Sequence, residues 1–113
     1  MKKLLIVGFS SAFILAGCGG GVPKCGDSET KKLVSEIADE EMASQIGRAA
    51  ANKFTYSLEA IRTTDVHDKT GAFECAAELA IHASNGGKNS IPITYTVEKT
   101  DDKKQFYVQV YGL

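Results

Sequence analysis

No apolar run in this chain is long enough to cross a bilayer. The longest goes from Leu4 to Ala16, about 13 residues, where the roughly 30 Å hydrocarbon core needs about 20. Nor is there a basic cluster. Lysine and arginine number 13 against 14 aspartates and glutamates, for a formal net charge of −1. No Lys/Arg-rich stretch offers the positive face that nucleic acid or anionic lipid headgroups require. The spacings that usually carry chemistry are missing as well. No serine sits between nucleophile-elbow glycines, and no glycine-rich phosphate loop is present. Asp39-Glu40-Glu41 lacks the alternating oxygen ligands and the glycine of a calcium loop. Three cysteines and two histidines show no zinc-ligand spacing. These absences predict a protein with no enzymatic activity, no cofactor, no metal and no nucleic-acid partner.

What is present begins with the positive pair Lys2 and Lys3, followed by the apolar run and then small residues, Leu15-Ala16-Gly17-Cys18. This order is that of a secretory signal peptide, and the cysteine directly after Leu-Ala-Gly resembles the lipobox of bacterial lipoproteins. The resemblance covers residues 1–18. It implies that residues 1–17 are a lipoprotein signal peptide and that Cys18 becomes a lipidated, acylated first residue. Residues 18–26, with Gly19-Gly20-Gly21, then form a lipidated cysteine and flexible tether, and 27–113 form a single domain. With no basic cluster to dock on anionic lipid, the membrane contact is expected through the lipid alone; stable anchoring takes two or more acyl chains, which matches what the resemblance implies. The resemblance places the protein in the bacterial cell envelope. Gly19, rather than aspartate, implies the outer membrane facing the periplasm if the host is Gram-negative.

Removing residues 1–17 leaves about 96 residues with a charge near −3, one small domain of modest core. With Cys18 assigned to lipid, Cys25 and Cys75 remain in an oxidising compartment, where a disulfide is expected. Closing that loop is worth roughly 3–4 kcal/mol in the chain-entropy treatment. The alternative is two buried thiols.

Asp27 or Ser28 is placed to cap a helix starting near Glu29. Leu33, Val34, Ile37, Ala38, Met42 and Ile46 recur at three- and four-residue steps and form one apolar stripe. The helix ends at Gly47 or runs to Asn52. Beyond Lys53 the period becomes 2. Phe54, Tyr56 and Leu58 alternate with polar residues, and the phase slips at Ala60-Ile61, which suggests a bulge. Asp68-Lys69-Thr70-Gly71 reads as a hairpin turn. Phe73, Cys75, Ala77, Leu79, Ile81 and Ala83 alternate as a second strand, although the alanines and the following Asn85-Gly86 also suit a capped helix. Ile91, Ile93, Tyr95 and Val97 mark a third strand. Asp101-Asp102-Lys103 makes a turn, and Phe106, Val108 and Val110 mark a fourth strand.

The predicted class is α+β, one N-terminal helix packed on a four-stranded antiparallel meander. In element order this resembles the cystatin-like folds, where a curved sheet wraps one helix. Their inhibitory Gln-x-Val-x-Gly loop is not matched by Gln109-Val110-Tyr111-Gly112, which has different spacing and lies at a strand end, so protease inhibition is not implied.

Among candidate site residues, Glu74, Glu78 and His82 share one face at spacings of four. On a strand such positions are about 13 Å apart, too far to share an ion. His67 lies beside Asp65 and Asp68 and reads as part of a hydrophilic turn. Tyr107, Gln109 and Tyr111 alternate with the core residues of the last strand, an edge in a meander. Tyrosine is favoured at interfaces, and an edge accepts an added strand; ordinary cross-strand support is the plainer role. The expected function is a lipid-anchored module that binds an envelope protein through this edge, such as a complex accessory, an immunity or exclusion lipoprotein, or a modulator of a periplasmic enzyme. The alternative is a carrier of a small apolar ligand in a cavity between helix and sheet, against which stand Phe54, Tyr56, Leu79, Ile93, Phe106 and Val108, large enough to fill it.

Overall fold

The computed structural model describes residues 22–100 and 105–113. The apolar stripe becomes helix α1, Ser28–Ile46, which buries Thr30, Leu33, Val34, Ile37 and Ala38. Asp27 precedes it in extended conformation without a side-chain cap bond; its carboxylate instead accepts a hydrogen bond from the Lys24 amide at 2.9 Å. Gly47, at φ +92, breaks the helix, and a separate turn α2, Arg48–Ala51, follows. Both expected endings are thus partly realised. Helical propensity continues through the alanines, but a left-handed glycine divides the run. The stripe itself stops short of its expected length. Met42 is half-buried and Ile46 is 46% exposed, so full burial along the stripe ends at Ala38.

Four strands follow: β1 (Phe54–Val66), β2 (Phe73–Ala83), β3 (Lys88–Lys99) and β4 (Phe106–Tyr111). They form one antiparallel sheet in the order β1-β2-β3-β4, the α+β meander that the periodicity predicts. The alanine-rich segment 72–84 is the strand β2. Its alternation sends Cys75, Ala77 and Leu79 under α1, where all are buried. Ala76 and Ala80 serve the other face: Ala76 lies between Arg62 and Thr94, and Ala80 between Ser57 and Ser90. A central strand flanked on both sides accommodates small residues there, so pairing overrides their helix propensity.

The phase slip in β1 is a bulge. Glu59 pairs with Glu78 and Arg62 with Ala76, so Ala60 and Ile61 together oppose Ala77. Ala60 adopts φ 53, a conformation an L-residue accepts only where its surroundings impose it. A second irregularity lies between Thr63 and Asp65. The turn at residues 68–71 closes through Gly71, φ 76, whose amide donates to the His67 carbonyl at 2.7 Å, while the His67 amide donates to Ala72 at 2.9 Å. The expected turn at Asp101-Asp102-Lys103 lies outside the described residues, as do the signal segment, Cys18 and the glycine tether.

The core lies between α1 and the sheet and holds Val34, Ile37, Leu79, Ile93, Tyr95, Val97, Phe106, Val108 and Val110. One end is closed covalently. Cys25, just before α1, is bonded to Cys75 in β2 with the two Cα atoms 5.8 Å apart. Tyr95, opposite Cys75 in the register, donates its hydroxyl to the Cys25 carbonyl at 2.9 Å. Burial pushes its phenol up to about 12. The bridge and this hydrogen bond together fix the start of the helix on the sheet.

Candidate binding surfaces

Three features of the surface have the geometry of a site. The first is β4. It has β3 on one side and no strand on the other among the described residues. Its inner residues Phe106, Val108 and Val110 are buried, while Tyr107 and Gln109 are half-buried and Tyr111 is 43% exposed on the outer face. Thr94, Thr96 and Glu98 stand opposite these three in β3. Tyr107 donates its hydroxyl to Glu98 Oε1 at 2.7 Å, the cross-strand support that the sequence offers as the plainer role for these tyrosines. Tyr111 donates to Gln109 Oε1 at 2.8 Å. The three predicted contact residues therefore do share one outer row, in which Tyr107 is tied into the sheet and Tyr111 presents more of its ring. The opposite edge, β1, is longer but interrupted twice, and bulged edges resist strand addition.

The second feature is a groove of about 140 Å³ between the end of α1 and the sheet, lined by Ala38, Met42, Tyr56, Leu79, Ile81 and Ile91, with Leu113 at its margin. It lies where the fully buried part of α1 ends, after Ala38. Leu79, Ile93, Phe106 and Val108 fill the interior as their size predicts, but this end stays open. The Tyr56 hydroxyl is buried without a hydrogen-bond partner among the described residues. Burial, reinforced by the nearby Asp39 carboxylate, raises its pKa above the ordinary phenol value. A space of this size accommodates a small ring compound rather than a long chain.

The third feature is a polar cluster at the base of the β1–β2 hairpin. The second irregularity in β1 brings Asp65 opposite Glu74, and His67 Nε2 donates to Glu74 Oε2 at 2.7 Å. One potential ligand atom from each of Asp65, His67 and Glu74 lies within 4.8 Å of the others. The hydrogen bond to Glu74 is the main reason His67 is held above its ordinary pKa; the charges of Glu74, Asp65 and Glu98 add to it, and partial desolvation opposes it. The sequence shows Asp65 near His67, but Glu74 joins them only through the pairing. Glu74, Glu78 and His82, by contrast, stay apart along β2, and His82 shares a 3.2 Å hydrogen bond with Ser57 instead.

No helix among the described residues is long and apolar enough to cross a membrane. Compared with known proteins, the chain matches no family model, no curated protein and no solved structure. The cystatin-like resemblance therefore rests on element order alone.

Proposed function

We propose that this protein is a lipid-anchored envelope lipoprotein that serves as a small protein-interaction module and binds its partner along β4. The observation that carries the reading is the two-sided character of that strand. Its inner side chains are locked in the core, so the outer row of Tyr107, Gln109 and Tyr111 stands on a rigid base. Rigid aromatic surface costs little conformational entropy on binding, and an edge strand adds main-chain hydrogen bonds.

The anchor is supported by Leu15-Ala16-Gly17-Cys18 behind the short apolar run. Intact-mass spectra of the mature protein are expected to show Cys18 as a lipidated first residue, and Cys18→Ala to leave a longer, unlipidated precursor. A mature chain with unmodified Cys18 overturns the anchor.

Replacing both Tyr107 and Tyr111 with serine is expected to weaken recovery of a crosslinked envelope partner by tenfold or more, on the order of 1.4 kcal/mol or above. Circular dichroism is expected to stay native, since neither ring is in the core. Undiminished recovery by a folded double variant removes β4 as the contact.

The groove favours a second reading, a carrier of a small apolar ligand. Its open volume and the unpaired Tyr56 hydroxyl, a ready donor to a ligand oxygen, support it.

A further inference from the structure

Asp65 and Glu74 oppose one another across β1 and β2, and like charges so placed repel. The register shift that creates this pairing also brings His67 within bonding distance of Glu74. Two carboxylates and an imidazole converging at the end of a hairpin form a donor set that calls for a cation. The main chain that carries them is held in place: the His67 amide and carbonyl are both bonded across the turn, and Thr64 Oγ1 donates to the Glu74 carbonyl at 3.1 Å.

We propose that Asp65, His67 and Glu74 form a binding site for one divalent transition-metal ion, with Zn²⁺ as the fitting probe. Ligand atoms about 2.1 Å from a common ion are at most about 4.2 Å apart, and about 3.4 Å apart in a tetrahedron. The present separations, up to 4.8 Å, reach that arrangement by side-chain rotation without moving the strands. The short His67–Glu74 hydrogen bond opens to admit the ion: the Nε2 proton is released to solvent, the ring stays neutral with its proton on Nδ1, and the ion becomes the partner of both groups. Two carboxylates neutralise the double charge, and the imidazole selects a transition metal over Mg²⁺ or Ca²⁺, which prefer oxygen. His67 and Glu74 remain about half exposed, so the fourth position is left to water or to a donor from a bound partner. The site is independent of the proposal for β4 and stands or falls separately.

The test follows the imidazole nitrogens of the full chain by NMR during titration with ZnCl₂. The His67 ring signals are expected to shift and saturate at one equivalent, while those of His82 stay unmoved and MgCl₂ has no effect. Glu74→Gln and Asp65→Asn are each expected to weaken binding tenfold or more, a loss that disturbing even an outer-shell contact commonly produces. Circular dichroism of both variants checks that the fold is retained. The proposal is overturned if the His67 ring ignores a tenfold excess of zinc. It is equally overturned if both histidines respond alike, or if the folded variants titrate like the parent chain.

Discussion

Cys75→Ala lowers the melting temperature by roughly 15–30 °C. The bridge joins residues 50 apart in sequence, and closing a loop of that length removes denatured-state entropy worth roughly 3–4 kcal/mol. Each kcal/mol moves the midpoint of a domain this small by about 4–8 °C. The loss is not limited to entropy. Both cysteines are 1% exposed, and the segment they tie down contributes the Cys25 carbonyl to Tyr95, so the start of α1 loosens along with the bond. Thermal unfolding followed by circular dichroism reads the shift, and alkylation of the native variant shows Cys25 as a reactive thiol. A midpoint within a few degrees of the parent protein means the helix start is held by packing alone.

Val108→Asp abolishes cooperative folding. Val108 is fully buried on the inner face of β4 opposite the equally buried Val97, with Phe106 and Val110 in the same row. The core cluster around it is apolar, and the Tyr95 hydroxyl within it is already donated to the Cys25 carbonyl. Burying it uncompensated, or neutralising it by protonation, costs several kcal/mol. A domain of this length is stable by only about 5–14 kcal/mol in total. The same strand thus carries opposite outcomes on its two faces: one aspartate inside unfolds the protein, while two serines outside leave it folded. Loss of the cooperative transition in thermal or urea unfolding is the expected result. A retained transition near the parent midpoint means that Val108 does not face the core, and the outward assignment of its neighbours Tyr107 and Gln109 falls with it.

The legible elements were those with long, unbroken periodicity. Leu33, Val34, Ile37 and Ala38 could face only one way on a helix. Ile91 to Val97 and Phe106 to Val110 alternated too regularly for anything but strands. The slip at Ala60-Ile61 was visible for the same reason, since an extra residue interrupts a period of two. Segment 72–84 was ambiguous because alanine fits a helix or a crowded strand equally well. Only the neighbours on either side, Arg62 and Thr94 beside Ala76, Ser57 and Ser90 beside Ala80, made the strand the better place for it. Ile46 carried the right spacing for the core but is 46% exposed. Sequence spacing specifies a direction around the helix, not whether a sheet is present to meet it.

The sequence alone specified α1, the strands β1, β3 and β4, the α+β class, the turn at Gly71, and which residues of β4 face inward. Each follows from local conformational preference or from hydrophobic periodicity, which act over a few residues. Tertiary structure decided what depends on distance across the chain. It set the register that brings Glu74 to Asp65 and His67, and the hydrogen bond that ties Tyr107 to Glu98. It also set the groove between the end of α1 and the sheet beside Tyr56. These contacts depend on strand register, bulge placement and helix length taken together. A shift of one residue in β1 would separate Asp65 from Glu74 while leaving the local pattern of apolar and polar residues in each strand the same.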